Sequence, residues 1–306
     1  MPTSRRHISL VRLAITVVVA LVLATSWSTR FNTLANDQVD AGLKRALITF
    51  ASARLLNAVI SAVQQTTISV QPFGVGLTLS PAQVLDPVND LVEQFGALML
   101  IVSVSFGVQK VLIGFGGLSL VSVGLTLALI AWLVLVWRNI EPPRWLDRTV
   151  LVLLLVRFAV PLAALGSEAA YLYAMEREYE ANQKAIEFIS DDIRATTTEL
   201  PAWSDSADRP GSFWDRLKAG MEKLNVETLK HEVEKFRQNV RDYLERLKAK
   251  GENLVRHVIT LTALFVVQTV LLPLVFLWLT LRVFRAALSF KPIVIGASAA
   301  VNQRGD

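Results

Sequence analysis

Residues 118–137, LSLVSVGLTLALIAWLVLVW, contain no charge, and this run restricts the possible folds of the chain more than any other segment. A helix of about 20 residues crosses the hydrocarbon core of a bilayer, so this run predicts a transmembrane helix. Trp132 and Trp137 lie in its second half, and indoles favour the membrane–water interface. Only 19% of the chain is charged, against about 25% in soluble domains, so the composition also indicates a membrane protein.

Three more segments have the length and composition of membrane spans. Residues 149–166 contain one charge, Arg157, and residues 257–281 are apolar around Gln268. Residues 8–27 follow an arginine pair and are longer than the usual core of a signal peptide. We therefore predict that 8–27 is an uncleaved signal anchor, with cleavage near its end as the alternative.

Two further apolar segments leave the number of crossings open. Residues 46–63 contain Arg54, and residues 95–113 contain Gln109 and Lys110. Each is predicted as a span, a re-entrant segment or a helix lying at the membrane surface. If neither spans, the chain crosses four times, and if both span it crosses six times.

The distribution of basic residues favours four crossings. Short loops rich in Lys and Arg stay in the cytoplasm. With either four or six crossings, both termini and the loop 138–148 lie on the same side of the membrane. These three segments contain most of the arginines that flank the spans. The loop 64–94 has three acidic residues and no Lys or Arg, so it belongs outside, as four crossings require. We predict an inner (plasma) membrane protein with cytoplasmic N- and C-termini.

The segment 31–117 is predicted to form an outside region that lies against the membrane. A helix is expected at about 39–65, followed by a strand hairpin around Pro72-Phe73-Gly74, where apolar and polar residues alternate. A second helix is expected to start at Asp86-Pro87, with Asp as N-cap and Pro in the first helical position.

Charged residues concentrate in 167–256, where apolar residues recur at alternating spacings of three and four. This spacing is typical of a coiled-coil seam. One seam comprises Leu172, Met175, Tyr179, Asn182, Ile186, Ile189, Ile193 and Thr196, and the other Leu229, Val233, Phe236, Val240, Tyr243 and Leu247.

The two arms of this segment have complementary charge. The arm 168–199 has eight Asp or Glu against three Lys or Arg, and the arm 226–256 has eight Lys or Arg against six Asp or Glu. Each helix would be about 45 Å long. The pattern predicts an antiparallel coiled-coil hairpin outside the membrane, and two separate solvated helices are the alternative.

The predicted tip of this hairpin contains Trp203, Phe213 and Trp214 among turn-forming and acidic residues. Exposed aromatic residues indicate a partner-binding surface. The alternative is that they pack beneath a short helix at 213–224.

Four polar residues inside the apolar segments are candidate functional residues: Arg157, Gln268, Gln109 and Lys110. A charge within a span is costly and marks a functional hypothesis. For Arg157 we expect a polar clamp between helices, hydrogen-bonded to Gln268, with an anion or proton path as the alternative. Lys110 is expected to reach the interface or to pair with an acidic residue at 86–93.

We identify no catalytic, metal-binding or cofactor-binding motif. The chain has no cysteine, which excludes disulfides and thiolate catalysis. Its histidines, His7, His231 and His257, lack ligand spacing. The glycines at 114–117 lack the spacing of a nucleotide loop. The basic residues flank the apolar segments, which argues against nucleic acid as a partner.

In general composition the chain resembles multi-pass proteins of the bacterial inner membrane, and no motif matches a family of known activity. We predict an all-α membrane protein without enzymatic activity that serves as a scaffold or assembly factor. Its partners would be the bilayer and another envelope protein, or a second copy bound through the hairpin. The alternative is a channel or transporter subunit that uses Arg157 and Gln268. The predicted regions are 1–30, 31–117, 118–166, 167–256, 257–281 and 282–306.

Overall fold

The computed structural model describes residues 3–64, 68–70, 77–79, 82–198 and 226–289. Within this part the chain is almost wholly α-helical, which confirms the predicted helical class. The elements are α1 (Thr3–Trp27), α2 (Thr29–Gln64), β1 (Ile68–Val70), β2 (Leu77–Leu79), α3 (Ala82–Gly116), α4 (Ser119–Trp137), α5 (Arg144–Ala174), α6 (Glu176–Thr198), α7 (Val226–Val266), a π-helical turn (Val267–Leu271) and α8 (Leu272–Ser289).

A single residue, Ser28, separates α1 from α2. Its amide donates to the carbonyl of Thr25 at 3.2 Å, which closes the last turn of α1. The sequence placed the start of the next helix near 39, but α2 begins at Thr29. The stretch 29–38 is polar but contains neither Gly nor Pro, so nothing in it interrupts a helix.

Strands β1 and β2 pair antiparallel, with Ile68 opposite Leu79, in the stretch where a hairpin is predicted. Helix α3 begins at Ala82, so the predicted start at Asp86-Pro87 was wrong and Pro87 lies inside the helix. Asp86 does not serve as the N-cap; it accepts a hydrogen bond from the Gln64 side chain at 2.9 Å. The residues before it, AQVL, contain no helix breaker.

Helix α4 matches the uncharged run, and α5 contains the whole predicted span 149–166. The connection between them includes Asn139, whose φ of 57° is in the left-handed region that Asn adopts more readily than most residues. Met175 forms a turn between α5 and α6. Because the helix is interrupted there, the seam of α6 does not continue to Leu172, which is 51% exposed.

The predicted span 257–281 is helical throughout, passing from α7 through the π-helical turn into α8. Pro273 lies just beyond the turn. Proline has no N–H and its ring crowds the carbonyl four residues earlier. This explains why the helix widens into a π-helical turn just before Pro273.

Five helical segments of the described chain are long and apolar enough to cross a membrane: Thr29–Gln64, Val84–Gly116, Ser119–Trp137, Arg144–Ala174 and Arg237–Leu288. Two of these helices contain the segments 46–63 and 95–113, for which the sequence left the crossing open. A shorter apolar helix covers Arg12–Trp27. This set of helices is the one expected of a multi-pass membrane protein.

The chain divides into two compact units. The first comprises Met1–Leu43, Val104–Tyr173 and Val267–Asp306. Helices α1, α4 and α5 form its core, with buried side chains Val19, Leu125, Leu129, Trp132, Val150, Leu154 and Phe158. Helices α1 and α4 run antiparallel, because Trp137 donates to Thr16 and Trp27 donates to Thr126, each at 3.1 Å.

The second unit comprises Lys44–Ser103 and Ala174–Val266. In its described part, segments of α2, α3, α6 and α7 pack around the side chains Leu56, Ile60, Leu85, Met99, Ile186, Ile193, Leu247, Leu254 and Phe265, all buried. Gly251 of α7 allows a close approach to α3, since a Cβ atom there would lie 3.0 Å from the side chain of Val88.

Candidate functional site

Arg157 of α5 is 1% exposed and belongs to the first unit. Its Nη2 donates to the carbonyl oxygen of Ser26 at 2.7 Å, and its Nε donates to the same oxygen at 3.2 Å. Its Nη1 donates to Oδ1 of Asn32 at 2.7 Å. Ser26 lies in the last turn of α1 and Asn32 in the first turn of α2, so one guanidinium joins three helices. We call these residues the Arg157 cluster.

The electrostatics of the Arg157 cluster suit a buried cation. The last carbonyls of a helix have no intrahelical partner and form the negative end of its dipole. The Ser26 carbonyl is one of these, at the end of α1. The rings of Phe31 and Phe158 have centroids 5.9 and 5.6 Å from the guanidinium carbon, which is within the range of cation–π attraction.

Two glycines at the end of α3 permit close packing around this arginine. A Cβ atom on Gly116 would lie 2.5 Å from the carbonyl oxygen of Val156. A Cβ atom on Gly117 would lie 2.8 Å from Nδ2 of Asn32. Real Cβ contacts are longer, so these glycines are required by packing as well as by the break between α3 and α4.

The other intramembrane candidates have different surroundings from those predicted. The expected bond between Arg157 and Gln268 is replaced by the bonds to α1 and α2, and Gln268 is buried in the π-helical turn. Lys110 pairs with Asp40 at 2.7 Å rather than with a residue at 86–93. Gln109 is partly exposed.

A second polar cluster lies in the second unit, between α2 and α6. The hydroxyl of Tyr179 is 3.2 Å from that of Thr49, and Thr49 donates to Oε1 of Gln183 at 3.1 Å. Nε2 of Gln183 donates to Ser52 at 2.8 Å and to Glu187 at 2.9 Å. We call these residues the Tyr179 cluster. Burial raises the pKa of the Tyr179 hydroxyl above its ordinary value, so it stays protonated at neutral pH.

Asn182, a predicted seam residue, is buried and links α6 to α7. Its Oδ1 lies 2.8 Å from Nδ1 of His257, and its Nδ2 donates to the carbonyl of Glu178. Farther along, Lys250 pairs with Asp192 at 2.8 Å. Because residue numbers rise along α6 as they fall along α7, these contacts are those of antiparallel helices.

The predicted tip residues Trp203, Phe213 and Trp214 lie outside the described residues, as does the tail beyond residue 289. Of the second seam, the described side chains Val240, Tyr243 and Leu247 are buried. The buried positions then continue with similar spacing through Leu254, Val258, Leu261 and Phe265.

Both clusters consist of polar groups that bind one another across helices. Among the described residues, no group of three or more His, Cys, Asp or Glu is placed to hold a metal ion. No protein-family model, curated protein or solved structure matches this chain. The geometry of both clusters fastens helices to one another.

Sequence reasoning missed Ser26 and Asn32 as partners of Arg157. The sequence did contain a signal, because a buried cation needs acceptors and polar residues directly follow the first apolar run. The partnership of Asn182 with His257 was also missed. Both residues had been singled out, but on separate grounds.

Proposed function

We propose that this chain is a multi-pass membrane protein that acts as a scaffold or assembly factor. In this proposal the segment 167–256 is an extramembrane helical hairpin that binds another envelope component. The observation that carries the proposal is the pairing of α6 with α7 through Asp192–Lys250 and Asn182–His257, at 2.8 Å each. These two long charged helices pair with each other and also contact segments of α2 and α3, which gives the proposed binding arm a fixed conformation.

The proposed topology has four crossings, at 8–27, 118–137, 149–166 and 257–281, with both termini in the cytoplasm of the inner membrane. Six crossings are the alternative. Retention of the first helix is part of the proposal. Cleavage near residue 26 would remove the Ser26 carbonyl and leave Arg157 without its main acceptor. The intact mass of the purified protein tests this, and it should equal the mass of a chain that retains residues 8–27.

Cysteine chemistry tests the hairpin and its sidedness, because the chain has no native cysteine. Asp192→Cys with Lys250→Cys should crosslink through a short bifunctional reagent in intact membranes. Asp192→Cys with Arg241→Cys, displaced by more than two helical turns along α7, is the matched control and should not. A membrane-impermeant thiol reagent should label Lys184→Cys from outside the cell and Arg148→Cys only after lysis.

The binding role is tested separately by deleting 200–214, which contains part of the predicted tip. We expect the deletion to abolish crosslinking to a neighbouring envelope protein while the Asp192–Lys250 crosslink persists. Unchanged crosslinking to the neighbour would refute the tip as the binding surface. Labelling of Lys184→Cys only after lysis would refute the proposed topology.

A channel or transporter subunit is the second candidate. The observation that favours it is the buried Gln268 in a π-helical turn, a feature often found at functional sites. Arg157→Leu and Gln268→Leu should then reduce solute flux into reconstituted vesicles. Flux that is absent, or that is unchanged by both substitutions, would leave the scaffold proposal as the better one.

A further inference from the structure

Four arginines in the first unit surround the connection between α4 and α5. Arg138, Arg144 and Arg148 are exposed on that connection and the adjoining helix ends, and Arg12 of α1 donates to the side chain of Asn139. Among the described ion pairs, none of the four is bound to a carboxylate. By contrast, the described bridges of the second unit pair basic residues with Asp or Glu, as in Lys250–Asp192.

The two acidic residues of the connection leave much of this charge uncompensated. Asp147 accepts a hydrogen bond from Nε1 of Trp132 at 2.9 Å, which holds it against α4. Glu141 is exposed and forms none of the described ion pairs. Four guanidinium groups against two carboxylates make the surface attractive to an anion.

The connection is held in one conformation. The amide of Ile140 donates to the carbonyl of Leu135 at 2.9 Å, and the amide of Leu146 donates to that of Pro143 at 2.9 Å. Pro142 is buried between these turns. The arginine backbones therefore keep their spacing, which reduces the entropy lost on binding a ligand.

Two exposed tryptophans indicate where the anion comes from. Trp137 is 53% exposed at the end of α4, and Trp145 is 67% exposed at the start of α5. Indole side chains at the ends of apolar helices lie at the level of lipid headgroups. An anion at this connection would thus meet guanidinium groups on the water side and indoles on the acyl side.

We propose that the α4–α5 connection binds the headgroup of an anionic phospholipid. Arg138, Arg144 and Arg148 supply forked N–H donors, which match the oxygens of a phosphodiester. Basic residues beside membrane helices attract anionic headgroups at about 1 kcal/mol each, which is about fivefold in affinity. This inference is independent of the hairpin and its proposed partner.

The test uses the full chain in bilayers of phosphatidylcholine with a minor fraction of spin-labelled phosphatidylglycerol or spin-labelled phosphatidylcholine. Electron spin resonance gives the relative affinity of each labelled lipid for the protein surface. We expect phosphatidylglycerol to be preferred, and we expect Arg144→Gln with Arg148→Gln to reduce the preference by at least about fivefold. The matched control is Arg237→Gln with Arg241→Gln, which removes the same charge from α7 and should leave the preference unchanged.

Other outcomes would overturn the proposal. They are equal affinity for the two lipids, or a preference reduced equally by both double variants. Displacement of the labelled lipid by soluble glycerol phosphate would show a site for free phosphate esters instead. Arg144→Lys with Arg148→Lys keeps the charge but lacks the forked donors, so it should retain part of the preference, which separates loss of charge from loss of folding.

Discussion

The two units bury polar groups in different ways. In the first unit a cation, Arg157, is held by a backbone carbonyl at the end of α1 and by one amide side chain. In the second unit neutral side chains, Tyr179 and Gln183 among them, bind the hydroxyl groups of Thr49 and Ser52. The comparison shows that a buried charge is held at a helix end, whereas the buried members of the Tyr179 cluster are neutral and bind one another, with the exposed carboxylate of Glu187 as an additional acceptor.

This difference has an energetic consequence. Removing an acceptor from the Arg157 cluster leaves a charge poorly solvated in an apolar surrounding, and that costs several kcal/mol. Removing a member of the Tyr179 cluster leaves neutral groups unpaired, at about 1–3 kcal/mol. Substitutions in the first unit should therefore have the larger effects.

The largest effect is expected from Asn32→Leu, which removes the acceptor of the Arg157 Nη1 group. We expect a loss of about 3 kcal/mol in the free energy of unfolding, measured by denaturant titration in detergent micelles with circular dichroism. Arg157→Met in the same chain should restore part of that loss, since the unpaired charge is then gone. Thr33→Val, at the exposed neighbour, is the control; equal losses for Asn32→Leu and Thr33→Val would contradict the charge argument.

The next effect concerns the glycines of α3. Gly116→Ala should lower the free energy of unfolding by about 2 kcal/mol, because its Cβ meets the Val156 carbonyl at 2.5 Å. Gly107→Ala has open space around its Cβ and should raise stability by up to about 1 kcal/mol, since alanine favours the helix. Thermal unfolding of both variants checks the opposite signs. The same sign for both would show that close packing does not operate at Gly116.

In the second unit, Gln183→Leu should cost about 1–2 kcal/mol. The substitution keeps the size of the side chain but breaks its bonds to Thr49, Ser52 and Glu187. Lys184→Gln, its exposed neighbour, should be nearly neutral. If Gln183→Leu proved more damaging than Asn32→Leu under the same unfolding assay, the contrast between the two units would be reversed.

The smallest effect is expected at the pair between Lys250 and Asp192, which are partly exposed to solvent. Lys250→Gln should cost less than about 1 kcal/mol, because solvent screens such pairs. The loss should shrink further at high salt, and denaturation at low and high ionic strength measures this. A salt-independent loss would indicate that packing of the lysine stem, rather than charge, is responsible.

Much of the secondary structure was predictable from the sequence, because apolar length and periodicity are local properties. The uncharged run became α4, and the apolar residues Tyr179, Ile186 and Ile193 recur at helical spacing and are buried on α6. The starts of α2 and α3 were wrong. They depend on whether a polar segment without Gly or Pro continues a helix, and local composition does not decide that.

The candidate site was predictable only in part. Arg157 was recognised because a charge within an apolar run is conspicuous. Its acceptors Ser26 and Asn32 are ordinary residues more than a hundred positions away along the chain, and no local pattern connects them to it. Lys110 and Asp40 are 70 positions apart, and no local pattern connects them either.

Hydrophobic length and period are local properties, so the residues alone indicate several apolar helices of membrane length and one charged segment with helical periodicity at 167–256. Which polar groups meet follows from the packed fold alone: the end of α1 meets Arg157, Thr49 meets Tyr179, and Asn182 meets His257. The physical reason is that a hydrogen bond requires two groups within about 3 Å of each other, and distance in space between remote residues is set by the packing of whole helices.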